Sequence, residues 1–496
     1  MNAPADASTP ASNTASAADN TAAGPDDAGA PASTAIHDLA PTLDRLRTGW
    51  LTHRPSIAQR REDLARLRRC FKDRIEEMAA AISADFGHRS REESLIADGM
   101  TVLAEIDHLR RHLRAWTRPR RVAAGWRLWP ARAQLRHQPL GVIGVVAPWN
   151  YPINLALVPL ATAIAAGNHV FLKPSEITPR TSAFLADLLA QVFPPERVAV
   201  AQGGAEVGQA FCALPFDHLV FTGSTVTGRK VAEAAARNLT PVTLELGGKS
   251  PAIVCADYPV DAAAARLATG KWFNAGQTCI APDYVLIDRP RRFALVQALR
   301  EQVTQRYGTV GADGDLAWIV NQQQFARLRD YLDDAAARGT EIIPLAETRG
   351  ETGRLLPPTV LLDPPPEATV MQEEIFGPLL PVLCYDSLDE ALAIVARQPR
   401  PLALYPFSHD RRALDRILGT VVAGGVTVNG TLLHFTATGL PFGGVGASGM
   451  GAYHARAGFD AMGHRMPVLW QPRWALSDRL KPPYTSIAGL LKLLLR

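Results

Sequence analysis

The sequence predicts an α/β protein built from two doubly wound lobes. Strand-like runs and helical patterns alternate from about residue 141, in the strand–helix–strand order of a mostly parallel sheet covered on both faces. A second alternation begins after Lys249, and 496 residues are more than one ordinary core organises, so two or three domains are expected.

Residues 1–36 contain no aromatic residue, no Lys and no Arg, which marks a disordered tail. They lack the charged and apolar regions of an export signal and the arginines of a transit peptide, leaving a solubilising tail or a mis-assigned start. Ordered chain is expected from near His37. From Leu39 to Leu113 the pattern is helical, with Leu64, Leu67, Phe71, Ile75 and Met78 forming one apolar stripe that packs on a sheet built later. Past Arg121 the texture becomes β-like. The run GVIGVVAP (141–148) is the clearest strand, followed by HVFLKP ending at Pro174, a helix from about Arg180 to Val192, strands at RVAVAQ and HLVFTG, and a helix from about Val226 to Arg237. The second lobe reads as PAIVCA, a helix from Asp261 to Asn274, YVLIDR, then helices near 293–307 and 322–338, with the lobes joined near Glu245–Ser250. At the far end, IAGLLKLLLR (487–496) is apolar but ten residues long, where a spanning helix needs about 20. It docks on the protein's own surface or touches a membrane peripherally, with Lys492 and Arg496 at the headgroups.

Composition excludes several classes. A net charge of +4 does not call for nucleic acid or a membrane, and the arginines from Arg110 to Arg121 read as a solvated helix face. The five cysteines are scattered, with no CxxC pair. An odd count without a disulfide framework or export signal favours a reducing, cytoplasmic compartment. No metal site is read: His108 and His112 are four apart as zincin ligands are, but Leu109 stands where the glutamate is needed.

The chemistry-bearing residues lie in a few motifs. In FNAGQTCIAPDY (273–284), Gly276 ends a helical pattern and sets Gln277, Thr278 and Cys279 in a loop that Pro282 keeps from becoming helix; Cys279 is a candidate nucleophile. Its candidate base is Glu245 in VTLELGGKSP. In PWNYP (148–152) two prolines stiffen the backbone around Asn150, whose amide suits a developing oxyanion. FTGSTVTG (221–228) sets Gly223, Ser224, Thr225 and Gly228 between strand and helix, where amides and the positive helix end can face a pyrophosphate. LKPSE (172–176) offers Lys173 and Glu176 at the carboxyl edge of a sheet, where a carboxylate accepts from ribose hydroxyls. A GxGxxG at Gly444, Gly446 and Gly449 lacks a preceding strand and enough following chain for a dinucleotide unit, and reads as a tight loop against a site.

In this order, PWNYP, LKPSE, FTGSTVTG, LELGGKSP, FNAGQTC, EEIFGP and PFGGVG resemble the aldehyde dehydrogenase superfamily over roughly residues 40–470. The wording is most similar to the branch of class 3, fatty aldehyde and coniferyl aldehyde dehydrogenases. That resemblance implies an aldehyde dehydrogenase-like fold: a tail (1–36), an NAD(P)-binding domain (37–246), a catalytic domain (247–428), and an active-site loop, oligomerisation segment and apolar C-terminus (429–496). It implies Cys279 as nucleophile, Glu245 as base and Asn150 as oxyanion donor. It further implies that Glu374 and Phe376 lie at the nicotinamide ribose, Lys173 and Glu176 at the adenosine ribose, and Gly223 to Gly228 at the pyrophosphate. The implied reaction oxidises an aldehyde to its acid through a thiohemiacetal and a thioester, with NAD as cofactor and NADP possible, in a homodimer. A pocket lined from Tyr151, the flanks of Cys279, and Leu432, Leu433 and Phe435 fits aromatic enals such as coniferyl aldehyde and medium- or long-chain aliphatic aldehydes. A CoA-acylating relative and a catalytically silent scaffold are the competing readings; the first commonly lacks a base at the position of Glu245. Because a carboxylate at the adenosine ribose repels a 2′-phosphate, NAD is expected to give a higher kcat/KM than NADP. Equal or better use of NADP would remove that role from Glu176.

Overall fold

The computed structural model describes residues 33–311, 314–349, 353–474 and 481–494. The expected tail up to residue 32, and the last two residues of the C-terminal leucine segment, lie outside the described residues.

The chain opens with helices Ile36–Thr52, Ile57–Asp73, Ile75–Phe86 and Thr101–Trp116. The apolar stripe spans two of them, because Arg74 leaves helical geometry (φ −111°, ψ 20°) between the second and third. One non-helical residue barely disturbs the 3.6 period, so Leu64, Leu67, Phe71 and Met78 all remain fully buried.

In chain order the strands are β1 (Arg120–Val122), β2 (Arg132–Pro139), β3 (Val142–Val146), β4 (His169–Lys173), β5 (Val198–Val200), β6 (His218–Thr222), β7 (Val242–Glu245), β8 (Pro251–Val254), β9 (Tyr284–Asp288), β10 (Glu341–Pro344), β11 (Thr359–Leu362), β12 (Leu379–Tyr385), β13 (Ala403–Phe407), β14 (Gly425–Val426), β15 (Gly449–Met450) and β16 (Gly463–Trp470). They form a six-stranded sheet ordered β15-β7-β6-β3-β4-β5, a seven-stranded sheet ordered β10-β11-β12-β9-β8-β13-β14, and a three-stranded antiparallel sheet β1-β2-β16. Within the two large sheets, neighbours are parallel except at the outer pairs β15–β7 and β10–β11. Strands β4, β6, β8 and β13 are buried along their whole length, as double helix coverage requires.

The junction between the large sheets is the stretch from Leu246 to Ser250, between β7 and β8. Residues after 429 do not stay together: β15 completes the first sheet and β16 pairs with β2 across about 330 residues of chain. The GxGxxG loop packs against the strand that carries Glu245. Gly449 lies opposite Glu245 in the ladder, and Leu246 N donates to Ser448 O at 3.1 Å. A Cβ on Gly449 (φ 153°) would meet Leu244 O at 2.4 Å, and one on Gly444 would meet Ser448 O at 2.0 Å. Both positions need glycine because backbone crosses backbone there.

Among the described residues no helix is long and apolar enough to cross a membrane. The C-terminal leucine segment forms a helix over Ala488–Leu494, preceded by Ile487, which is buried, while Leu491 and Lys492 are exposed.

Gly449→Ala should lower stability by about 2 kcal/mol or more, from strain plus backbone overlap. Gly308→Ala shares the positive φ (57°) but has open space around its Cβ, so it should cost less. Thermal melts of the two variants separate overlap from strain.

Candidate active site

The nucleophile loop owes its shape to three consecutive left-handed residues. The helix Val260–Trp272 stops two residues earlier than the pattern suggested, because Asn274 (φ 53°), Ala275 (φ 50°) and Gly276 (φ 75°) reverse the chain. Asparagine and glycine adopt that region readily; alanine does so at a cost of about 1 kcal/mol. Gln277 holds the reversal: its backbone N–H donates to Asn274 O at 3.0 Å, its Nε2 to Asn274 O at 3.1 Å and Trp318 O at 3.0 Å, and its Oε1 accepts from Val320 N at 2.9 Å. Gly276 also permits contact with EEIFGP, since a Cβ there would lie 2.3 Å from Gly377 O.

Cys279, Glu245 and Asn150 all line one cavity of about 540 Å³, with Gly223, Ser224, Thr225, Glu374 and Phe376. Glu245 ends β7; it is 2% exposed, and neither carboxylate oxygen has a hydrogen-bond partner among the described residues. Burial alone raises its pKa well above the ordinary carboxylate range. The Cys279 thiol is pushed far up, first by burial and then by the carboxylates of Glu374 and Glu245. Glu374 itself is raised to about 8 by burial and the charge of Asp283, against opposing contributions from the Gly248 amide, Lys249 and Arg327. Three acids that line one cavity disfavour one another's ionised forms, and a positive charge entering it would offset that.

Asn150 is held from both ends. Its Nδ2 donates to Gln277 O at 3.1 Å, and its carbonyl accepts from Asn274 Nδ2 at 3.0 Å and Arg89 Nη1 at 3.2 Å. One amide proton is thereby committed to the nucleophile loop and the other is left for a ligand. Next to it, Tyr151 Oη and Thr278 Oγ1 share a hydrogen bond of 2.5 Å.

The start of a helix forms another part of the wall, where an anion could be held. Ser224 caps the helix Thr225–Ala236, accepting from Thr227 N at 3.2 Å, so the first amides of the helix face the cavity with its positive dipole end. Thr225 Oγ1 donates to Ala447 O at 3.1 Å, fixing that wall to the GxGxxG loop. Gly228 is buried and does not line the cavity; a Cβ would meet Leu246 Cδ2 at 2.5 Å, so its role here is to let the helix rest on the base's strand. Lys173 and Glu176 do not line this cavity either. They sit together at the end of β4, Lys173 as its last residue and Glu176 three residues on, Nζ to Oε2 at 2.6 Å, with Lys173 buried and Glu176 exposed. Glu374 lies over Gly247, and Phe376 (φ 48°) meets Trp149 edge-on at 5.3 Å.

Tyr151, Leu432, Leu433 and Phe435 are not part of that cavity wall. Leu433 is 62% exposed, while Phe435 packs on Phe442 at 4.9 Å. Sequence reasoning missed Trp149, Gln324, Arg327 and Tyr331, which do line it. The spacing of Gln324, Arg327 and Tyr331, three and four apart on the helix Gln322–Ala337, was the available signal. It also missed Lys249, whose ammonium pairs with Asp283 and donates to Val370 O at 2.8 Å and Glu373 O at 2.9 Å. His108 and His112 stack with Trp116 instead of meeting a third ligand, and no group of metal-binding side chains exists among the described residues.

Residues 47–466 match the sequence family described as the aldehyde dehydrogenase family. A probable coniferyl aldehyde dehydrogenase of Pseudomonas aeruginosa is 46% identical over 450 residues, covering 90% of this chain and 94% of the relative. A coniferyl aldehyde dehydrogenase of Pseudomonas sp. strain HR199 is 43% identical over 477 residues, covering 94% and 98%. Among solved structures, the substrate-bound state of Staphylococcus aureus AldH superposes with a TM-score of 0.88 at 35% identity, covering 93% of this chain and all of that one.

The raised Glu374 carboxyl makes a signed prediction. Its folded pKa of about 8 exceeds its ordinary value, so the ligand-free folded state binds the extra proton and loses stability as pH climbs from about 4.5 to about 8. Buried His137, His169, His218 and His434, lowered to about 4, tilt the total curve the other way at acid pH. The Tm difference between Glu374→Gln and the parent should therefore grow in the variant's favour from about pH 5 to about pH 8; a constant difference would contradict the shift.

Proposed function

The chain belongs to the aldehyde dehydrogenase family, and from that premise we propose that it oxidises an aromatic enal of the coniferyl aldehyde type to the carboxylic acid, using NAD in preference to NADP. The observation that carries the chemistry is the convergence of Cys279, Glu245 and the free amide proton of Asn150 on one cavity beside a capped helix start.

The nucleotide is held by the amides at Ser224 and Thr225 and by Glu374, with Phe376 beside it. When bound, it supplies a cationic ring that accepts the hydride of the aldehyde carbon. That positive charge is what the three crowded acids lack, so its arrival favours their ionised forms. Glu245 takes the Cys279 proton, and the thiolate attacks the aldehyde carbonyl. The resulting oxyanion accepts from Asn150 Nδ2 and the Cys279 backbone N–H, a donor pair worth on the order of 10² to 10³ in rate per donor. Collapse of this thiohemiacetal with loss of hydride leaves a thioester on Cys279. Glu245 passes the Cys279 proton to solvent and then takes one from water, the hydroxide adds to the thioester, and the acid leaves as Glu245 returns its proton to the Cys279 sulfur.

A CoA-acylating fate would leave Glu245 no water to activate in the second half of the reaction, although it is buried at a cost with both oxygens unused. An intact nucleophile, base and oxyanion donor argue equally against a silent scaffold. The aldehyde assignment draws on the names of the relatives. The same reading keeps residues 37–246 as the NAD(P) domain and 247–428 as the catalytic domain, gives the β1-β2-β16 sheet a part in a homodimer, and keeps the protein in the cytoplasm. Lys173 and Glu176 hold the adenosine ribose.

Cys279→Ser should reduce NADH formation by about 10³-fold or more. Glu245→Gln should acylate more slowly, because Cys279 loses its base, yet still give up to one NADH per site before turnover slows further, because hydride loss precedes hydrolysis. Free acid formed without added CoA, and coniferyl aldehyde leading a panel of aldehydes by kcat/KM, complete the test. An aliphatic aldehyde of eight or more carbons in first place would replace the substrate assignment and leave the chemistry standing.

A further inference from the structure

The carbonyl of Asn150 accepts a hydrogen bond from a side chain that no motif contains. Arg89 lies between the helix Ile75–Phe86 and the short helix Arg91–Ser94, in the helical layer far from the nucleophile loop in sequence. It is 1% exposed, and its guanidinium reaches three partners at once. Nη1 donates to Asn150 O at 3.2 Å, Nη2 lies 3.3 Å from Asp98 Oδ2, and Nε lies 3.4 Å from Glu93 Oε1. The plane also covers the Tyr151 ring, with Cζ 5.0 Å from the ring centre.

The partners are placed as specifically as Arg89 is. Asp98 is fully buried, and its Oδ1 accepts from Ile153 N at 3.2 Å and Asn154 N at 2.9 Å, where the helix Asn154–Ala166 starts. The arginine and the aspartate thus hold the middle of PWNYP and the residues just after it, one at the carbonyl of Asn150 and one at the amides three and four residues on. Asn274 of the nucleophile loop donates to the same carbonyl as Arg89. A buried cation is expensive to keep, and a purely structural site would be filled more cheaply by apolar side chains. A planar guanidinium donates to the carbonyl while its other nitrogens face two carboxylates at ion-pair distance, a spread that a lysine ammonium on a flexible stem does not match.

We infer that Arg89 is a positioning residue for the oxyanion donor: with Asp98 and Glu93 it fixes the backbone of Asn150 so that the side-chain amide points at the carbonyl oxygen being attacked. The inference rests on the role proposed above for Asn150. It places Arg89 outside nucleotide binding, since it does not line the cavity wall, and makes both oxyanions, that of acylation and that of hydrolysis, depend on it through Asn150.

The test is a double-mutant cycle read by stopped-flow NADH formation in the first turnover with saturating NAD and coniferyl aldehyde. Asn150→Ala is expected to slow that phase by about 10²-fold, Arg89→Met by about 10- to 10²-fold, and the pair by no more than Asn150→Ala alone. Arg89→Lys should recover part of the rate. The Kd for NAD, from quenching of tryptophan fluorescence, should stay within about twofold of the parent in Arg89→Met. Defects that multiply in the double variant, a first-turnover rate in Arg89→Met within about threefold of the parent, or a parallel loss of NAD affinity would each overturn the inference. If Arg89→Met does not fold, the same cycle is run with Arg89→Lys, which keeps the charge but not the fork; a parental first-turnover rate there overturns it equally. An unimpaired Asn150→Ala would instead remove the oxyanion role itself.

Discussion

The site depends on one buried ion pair. Lys249 and Asp283 lie 34 residues apart in sequence, both almost without solvent, and each also binds the loop that carries Glu374. The lysine donates to the carbonyls of Val370 and Glu373, and the aspartate accepts from Ile375 N at 2.9 Å. Three segments therefore share one electrostatic knot: the turn after the base's strand, the turn after the nucleophile, and the acidic loop of the cofactor wall. Burying two charges is costly, and removing either partner would strand the other at a cost of about 3–5 kcal/mol. An apolar pair of similar size would pack as well but would not orient three backbones.

Much of this was legible in the sequence, and the part that was not shares a physical reason. Cys279, Glu245, Asn150 and the Ser224–Thr225 turn were readable because each sits in a short motif whose prolines, glycines or caps fix local backbone. The order of βαβ units was readable for the same reason, since helix and strand periods are local properties. Arg327 and Tyr331 stand on an ordinary amphipathic helix and Arg89 in a short connection between two helices, where nothing nearby distinguishes a functional polar residue from a solvated one. Their roles arise from contacts between distant segments. The third sheet was hidden likewise: β2 and β16 are each a plain eight-residue run, and only their pairing makes them an element. Gly228 shows the converse. It sits in a phosphate-binding pattern, yet the space it leaves is filled by Leu246.

The cavity's electrostatics invert the usual picture of an activated cysteine. The structure does not lower the thiol pKa with a neighbouring cation; it raises it with burial and two carboxylates. Burial and the two carboxylates bias the Cys279 thiol toward its protonated form, so a positive charge entering the cavity would favour the thiolate.

The pairing of β15 with β7 also reaches into the protein's biosynthesis. Glu245 is made in the first half of the chain, but the strand that flanks it, with Gly449 directly opposite, is translated some two hundred residues later. While a ribosome is still extending the chain, the nucleophile loop and the oxyanion turn have already emerged, whereas the base stands on an open sheet edge. A copy that stops before Gly449 would thus leave Glu245 on a strand whose outer edge has lost its pairing with β15.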